Sequence, residues 1–137
     1  MKISKKGLYA LQALMSLARH YPEGTTKIHK IAAEEDVPEK FLELILHELK
    51  TARIVESERG VHGGYRLKRA PGRIFLGEVI RTMDGPLAPF GDAASLRRLV
   101  ARDKKHSSLF RVFLDVRNSA ARILDHTSLA DICTRRH

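Results

Sequence analysis

Residues 54–67, Ile54-Val55-Glu56-Ser57-Glu58-Arg59-Gly60-Val61-His62-Gly63-Gly64-Tyr65-Arg66-Leu67, decide the fold. Two short alternating runs flank a turn that holds Gly60, Gly63 and Gly64. Arg59 stands at the start of that turn, and Arg66 and Lys68 follow it. Alternation on both sides of a glycine-rich turn predicts a β-hairpin with a basic tip. Immediately upstream, Pro38 opens a helix at a position where its missing N–H costs nothing. Phe41, Leu42, Ile45, Leu46 and Leu49 give that helix a buried side, while Lys40, Glu43, His47 and Lys50 lie largely opposite. Before it, Thr26 is placed to cap a short helix carrying Ile28, Ile31 and Ala32. Asp36 suits the intervening turn, because Asp tolerates left-handed backbone angles. Two helices joined by a turn too tight for a strand, followed by a basic hairpin, make a winged helix-turn-helix. The predicted fold class is mainly α with a small β-hairpin.

Further out, Ser4 is a plausible N-cap for a first helix running to about His20. Leu8, Leu11, Leu14, Met15 and Ala18 fall at helical spacing, and Pro22 and Gly24 end the element. Downstream of the hairpin, Ala70-Pro71-Gly72 breaks the chain and Ile74-Phe75 suggests a short strand. Leu76 to Met83 reads as a short helix closed by Asp84-Gly85-Pro86. Asp92 is placed to cap a helix through Arg102. A long helix then runs from about Ser107 to Asp125, with Phe110, Phe113, Leu114, Arg117, Ala121 and Leu124 recurring at threes and fours. Thr127 caps a final turn carrying Leu129, Ile132 and Cys133. The expected organisation is a winged helix-turn-helix over 1–84, a sensor-type loop and helix over 85–106, and a dimerisation helix with a C-terminal cap over 107–137. The long helix either pairs with a second copy of itself or folds back over its own domain. Its length and its aromatic residues favour pairing.

The bulk properties fit this picture. The chain carries 25 Lys and Arg against 16 Asp and Glu, a net charge of +9, which favours polyanionic partners through counterion release. The excess is spread over both halves, so charge alone does not locate a face. Lys or Arg interrupts every hydrophobic stretch, which leaves no membrane span, and no signal segment opens the chain. A cytoplasmic location is expected. The single cysteine, Cys133, excludes an internal disulfide and a cysteine-ligated zinc or iron–sulfur site within one chain. Asp92, Asp103, His106 and Asp115 are potential metal ligands, but their spacing fits no dense motif. There is no phosphate-binding loop, nucleophile elbow or HExxH helix, and nothing places a nucleophile beside a base. No cofactor and no metal are expected, and the chain is not expected to be an enzyme.

The physical assignment of DNA-contacting residues follows from the elements. The exposed first turn of the third helix faces the major groove, which makes Pro38, Glu39, Lys40, Phe41 and Glu43 candidates. Lys40 reaches a phosphate or a guanine edge, and Glu43 accepts from a cytosine amino group or repels the wrong sequence. Phe41 either packs on a thymine methyl or belongs to the core. At the wing tip, Gly60, Gly63 and Gly64 let the backbone approach the sugar-phosphate chain beside His62, and Arg59 probes the minor groove. Ser4, Lys5, Lys6 and Tyr9 at the start of the first helix suit phosphate clamping.

The run Met1-Lys-Ile-Ser4-Lys5-Lys6-Gly7-Leu8-Tyr9-Ala10, the helix Phe41-Leu-Glu43-Leu-Ile-Leu46 and the wing Arg59 to Leu67 carry a resemblance. So do Gly77-Glu-Val-Ile80 and Thr127-Ser-Leu-Ala-Asp-Ile132. Together they resemble the IscR/NsrR-type family of bacterial transcription regulators over nearly the whole chain. The resemblance implies a dimeric winged-helix repressor or activator with a long crossed dimerisation helix. It also implies that Lys40, Phe41 and Glu43 read the major groove, that Arg59 enters the minor groove, and that Ser4, Lys5, Lys6 and Tyr9 meet phosphate. The target implied is double-stranded DNA with near-palindromic half-sites about one turn, ~34 Å, apart.

One departure matters. Members of that family that sense through an iron–sulfur cluster place three cysteines between the short helix and the long one, and residues 85–108 contain none. A histidine serves in some members. Here Ser107 stands at that position, with His106 beside it. The resemblance is to cluster-free members, which respond to a small-molecule or protein effector or to thiol state. The competing reading is a winged-helix protein-interaction module that regulates a partner enzyme. Glu34, Glu35, Asp36 and Glu39 near the turn favour it, because acids there oppose phosphate.

Overall fold

The structure, a computed structural model of the chain, describes residues 1–134. Three helices lead, α1 (Lys5–His20), α2 (Ile28–Glu35) and α3 (Glu39–Thr51). Strands β1 (Val55–Glu58) and β2 (Gly64–Leu67) follow and pair antiparallel, with Val55 opposite Leu67 and Glu58 opposite Gly64. After a 3-10 turn at Pro71–Arg73 come α4 (Leu76–Asp84), α5 (Ala93–Arg102), α6 (Ser107–Leu124) and α7 (Leu129–Thr134). The molecule is a winged helix-turn-helix, mainly helical, with one two-stranded hairpin as the wing. Residues 135–137, the end of the unit expected over 107–137, lie outside the described residues.

Several local signals act as read. Ser4 caps α1 by accepting from the Gly7 N–H. Asp36 takes the left-handed conformation, with φ 53°, between α2 and α3. Asp92 and Ser95 cap α5 reciprocally. Three expectations need correction. Thr26 does not cap α2: Lys27 holds that position without a side-chain cap. Thr26 is buried and forms a β-bridge with Tyr65, donating its N–H at 2.8 Å and accepting at 2.9 Å. Two main-chain hydrogen bonds in a buried place outweigh one hydroxyl cap. The bridge docks the wing against the helix-turn-helix. It also explains Gly64, whose φ is +143° and whose missing Cβ would lie 2.5 Å from the Thr26 carbonyl oxygen. Ile74-Phe75 is not a strand, and only a single bridge joins Phe75 to Ser128. The cap of α7 is Ser128, not Thr127. Ser128 and Asp131 exchange backbone-to-side-chain bonds at 2.9 and 3.1 Å, while the Thr127 hydroxyl donates back to the Ile123 carbonyl.

The core is one cluster that joins α1, α2, α3, the wing, α4 and α7. Leu14, Leu17, Ile31, Leu42, Ile45, Leu46, Leu49, Ile54, Leu67, Ile74 and Leu129 are buried in it. The buried stripe of α1 is rotated from the expected one. Gly7, Ala10, Ala13, Leu14 and Leu17 face inward and Leu8 is exposed. Small residues let α3 and α4 approach α1 closely, so the alanines, not the larger Leu8, mark the contact line. Two carboxylates then tie the helices together. Asp84, the last residue of α4, accepts from the Ser4 N–H at 2.9 Å and from the Ser4 hydroxyl, in space that a Cβ on Gly7 would fill. Asp125, just after α6, takes a two-pronged bond from Arg81 of α4, 2.7 Å at each contact, in space that a Cβ on Gly77 would fill.

Beyond this body, α5 packs along α6, and Phe90 of the loop before α5 meets Phe110 of α6, which in turn meets Phe113 one turn on. Only Ala121 of α6 is buried. Its opposite side carries Leu109, Val112, Val116 and Ile123, which are 50%, 56%, 49% and 61% exposed. These fall at steps of three, four and seven, a second apolar seam distinct from the Phe110–Leu124 stripe that faces α5 and α4.

Candidate nucleic-acid interface

The outer face of α3 is fully presented. Pro38, Glu39, Lys40, Phe41, Glu43, Leu44 and His47 are all exposed, while Leu42, Ile45, Leu46 and Leu49 are buried behind them. Phe41 is not part of the buried side to which its spacing assigned it. It is 51% exposed, and its ring meets the Tyr9 ring edge-on with centroids 5.8 Å apart. At 100° per residue, the four buried side chains already fill the stripe, and Phe41 falls about 90° off its centre, beside α1. The same wheel puts Lys40, Leu44 and His47 at the middle of the outward face. Leu44, 55% exposed, joins this candidate face; the sequence reading gave it no role, neither in the buried side of the helix nor among the contact residues. A helical wheel would have found it. Lys40 makes no ion pair among the described residues, so its ammonium is free for an anionic or carbonyl partner.

The start of α1 lies next to this face through the Tyr9–Phe41 contact. Its four expected residues differ in what they have to offer. Lys5 is exposed with no ion pair among the described residues. Lys6 sits 3.1 Å from Glu48 of α3, a half-exposed pair worth ~0–1 kcal/mol and readily exchanged for a phosphate. The Ser4 hydroxyl gives its proton to Asp84 and accepts from Gly7, so it orients the end of α1 and has no donor left for phosphate. Tyr9 is half-buried between the two helices.

On the wing, Arg59 is exposed and without an ion pair among the described residues, and Val61 at the tip is 85% exposed. The loop is braced: the Gly63 N–H donates to the Gly60 carbonyl, and the Thr25 hydroxyl donates to the His62 carbonyl at 2.6 Å. Arg66 is spent within the sheet on Glu56 and Glu58, whose hydrogen bonds push its guanidinium further up from its ordinary value. Between the wing and the start of α2 runs a cleft of about 430 Å³, lined by Lys27, His29, Arg59, Gly60 and Gly64 among others. Lys27, His29 and Lys30 are exposed there, beside a helix N-terminus that no side chain caps. Free N–H groups and cations at a helix start favour an anion. The sequence reading missed these residues, and the uncapped start was hidden by treating Thr26 as the cap.

Of the four acids at the turn, Glu34 and Glu35 are paired with α1, while Asp36 and Glu39 stay exposed. Glu34 accepts from the Ser16 hydroxyl at 2.7 Å and lies 2.8 Å from His20, while Glu35 pairs with Arg19. The Ser16 hydrogen bond, helped by His20 and Arg19 against a desolvation cost, holds the Glu34 carboxyl below its ordinary value. Glu34 and Glu35 thus face α1. Among the described residues, no three His, Cys, Asp or Glu side chains gather to hold a metal.

Comparison with known proteins agrees with this geometry. The family model for Rrf2, described as an iron-dependent transcriptional regulator, matches residues 3–135. The HTH-type transcriptional regulator CymR of Bacillus subtilis is 33% identical over 134 residues, which span 98% of this chain and 91% of that protein. The putative HTH-type transcriptional regulator Rv1287 of Mycobacterium tuberculosis is 36% identical over 136 residues, 96% of this chain and 81% of that one. The structure of CymR, titled the global cysteine regulator of B. subtilis, superposes with a TM-score of 0.84 at 31% identity, covering 100% of this chain and 99% of that one. IscR of T. potens superposes with a TM-score of 0.77 at 32% identity, over 96% and 85% of the two chains. The iron in the family's description finds no thiolate set here. Residues 85–108 hold no cysteine, and the lone Cys133 lies on α7, where burial pushes its thiol up. An iron–sulfur cluster of the thiolate kind does not fit these residues. By the extent of the match and the shared winged-helix architecture, the chain belongs to the Rrf2 family of DNA-binding transcriptional regulators.

Proposed function

We propose that the protein is a homodimeric, cytoplasmic repressor that reads a near-palindromic operator and senses without an iron–sulfur cluster. The observation that carries this reading is the outer face of α3. Lys40, Phe41, Glu43, Leu44 and His47 are exposed on a helix whose other side is wholly buried, next to a braced wing that offers an unpaired Arg59. In this reading Lys40 reaches a guanine edge or a phosphate, and Phe41 and Leu44 pack on thymine methyls. Glu43 accepts from a cytosine amino group. Arg59 enters the minor groove, and Gly60, His62, Gly63 and Gly64 carry the wing backbone along the duplex. Lys5, Lys6 and Tyr9, held by the Ser4 cap, meet phosphate, as do Lys27 and His29 at the start of α2.

The second apolar seam of α6 supports the dimer. Four half-exposed aliphatic residues on one helix bury productively against a second copy, and two-fold pairing sets the two α3 helices about one duplex turn apart. A dimer covering two half-sites acts by occluding the promoter. The test is fluorescence anisotropy on DNA upstream of the protein's own gene, with a half-site mutant as control, followed by transcription of that template in vitro. Specific binding that needs both half-sites, and a transcript that falls as protein is added, support the reading. Binding that stays indifferent to sequence at about 0.15 M salt, where non-specific phosphate contacts are weakened, overturns it.

A further inference from the structure

Away from the DNA face, a cavity of about 480 Å³ opens where the end of α4, the start of α5 and the middle of α6 meet. Three guanidinium side chains line it, one from each helix: Arg81, Arg97 and Arg117. Pro86, Leu87, Ala93 and Ala94 supply an apolar wall, and Asp92 is the one carboxylate among the lining residues. The two carboxylates nearby are already committed. Asp125 is held two-pronged by Arg81, and Asp92 accepts the Ser95 N–H at 2.8 Å as the cap of α5. Arg97 is exposed with no ion pair among the described residues. The one side-chain bond of Arg117 there is a 3.3 Å contact to its neighbour Asn118. Counting Asp92 and Asp125 against the three guanidinium groups leaves one positive charge over at the recess, where Arg97 stays open to solvent and ready for an anion, while Arg117 also feels the Asp125 charge.

Guanidinium groups match carboxylate and phosphate oxygens two at a time, which a lysine cluster cannot do. The volume falls in the ordinary range for small-molecule sites. The apolar wall suits a short carbon skeleton between two charged ends. The geometry points to a binding site for a small organic dianion, a dicarboxylate or a phosphorylated short-chain acid, gripped by Arg97 and Arg117 with Arg81 behind them. This inference rests on the regulatory reading, since it supplies that regulator with an effector. An occupant that draws Arg81 from Asp125 changes how α6 is held to α4, and so reaches the dimer seam and the DNA face together.

The experiment is isothermal titration of the full-length chain at fixed ionic strength with succinate, 3-phosphoglycerate and inorganic phosphate. The parent is compared with Arg97→Ala and Arg117→Gln, and each preparation is also assayed for operator binding without added anion. Expected is saturable binding of at least one organic dianion, about tenfold or more weaker in either variant. Succinate alone or 3-phosphoglycerate alone identifies the ligand's source, and both outcomes support the site. No saturable binding overturns it, as does binding that both variants retain. Arg97 lies off the DNA face, so Arg97→Ala keeps parental operator affinity. Operator binding with no anion site sinks only this inference. An Arg97-dependent anion site with no operator binding leaves the site and sinks the regulatory reading instead.

Discussion

Replacing Val112 by Glu should break the dimer while leaving the subunit folded. Val112 sits in the α6 seam and is 56% exposed in the single subunit, so the change adds a charge where water already reaches. In the dimer it does not. Burying a whole valine side chain contributes about 1.5–3 kcal/mol, and roughly half of Val112 remains to be buried, so two copies contribute about 2 kcal/mol to association. A polar group trapped unpaired at each of the two positions costs a further ~1–3 kcal/mol apiece, and a carboxylate at least that much. The total, about 4 kcal/mol or more, corresponds to a dissociation constant raised roughly a thousandfold. Sedimentation velocity across the micromolar range reads this directly, and circular dichroism checks that helix content is unchanged. Val112→Ile, which keeps the seam apolar, serves as the control and should stay dimeric. If Val112→Glu sediments like the parent dimer, the seam is not the interface. If the parent itself is a monomer at these concentrations, the proposal of a two-fold operator loses its mechanical basis.

Arg59→Ala and Lys40→Ala should each weaken operator binding by ~1–3 kcal/mol in anisotropy titrations, and Lys40→Ala should also relax preference at the base pair it reads. Parental affinity in both would remove the groove assignment. Gly64→Ala should destabilise the fold by ~1–3 kcal/mol in thermal melts, because a methyl would meet the Thr26 carbonyl at a φ of +143°. An unchanged melting temperature would show that the wing bridge is dispensable. The Asp125 carboxyl is held below its ordinary value chiefly by the Arg81 hydrogen bond. Its contribution to stability is therefore present above about pH 4, the unfolded value, and lost as pH falls through the lower folded value. The stability gap between the parent and Asp125→Asn, measured by urea titration, should close as pH drops below about 4. A gap that holds constant through that range would mean that the ion pair contributes nothing.

How far the sequence revealed this molecule depends on which kind of signal each element used. The wing was plain because glycine spacing and strand alternation are local, and Asp36 and Asp92 announced a turn and a cap for the same reason. Long-range competition was not visible. Thr26 looks like a cap until Tyr65, thirty-nine residues later, claims its backbone. Leu8 looks like core until the small residues of α1 prove to be the line of approach. Phe41 looks like core because apolar identity hides its angular position, about 90° from the centre of the buried stripe, and Leu44 is outward on the same helix. The stripe of α6 that its aromatic residues mark for pairing, Phe110 to Leu124, instead faces its own α5 and α4, while the exposed aliphatic line of Leu109, Val112, Val116 and Ile123 lies on the other side.

The residues around α4 join the helices that follow it to the start of α1. That helix is held at both ends by carboxylates that belong to or reach other functional parts. Against Gly77, near its start, lies the Asp125 carboxylate from the end of the α6 rod, gripped by Arg81 one turn further on. At its end, Asp84 grips Ser4, the cap of the helix that presents Lys5 and Lys6, with Gly7 leaving the room. The rod, α4 and the start of α1, which carries the candidate phosphate contacts, are thus joined in series by these two contacts. Neither glycine tolerates a side chain without expelling its carboxylate, so the two joints are sterically dedicated. Gly77→Ala should for this reason do more than loosen packing. It should uncouple the rod from the DNA-binding body, lowering operator affinity while α1, the wing and their core remain intact. Operator affinity equal to the parent's, in a variant whose stability has lost the pH dependence that the Arg81–Asp125 contact confers, would mean that the rod and the reading head are independent and that the linkage runs elsewhere.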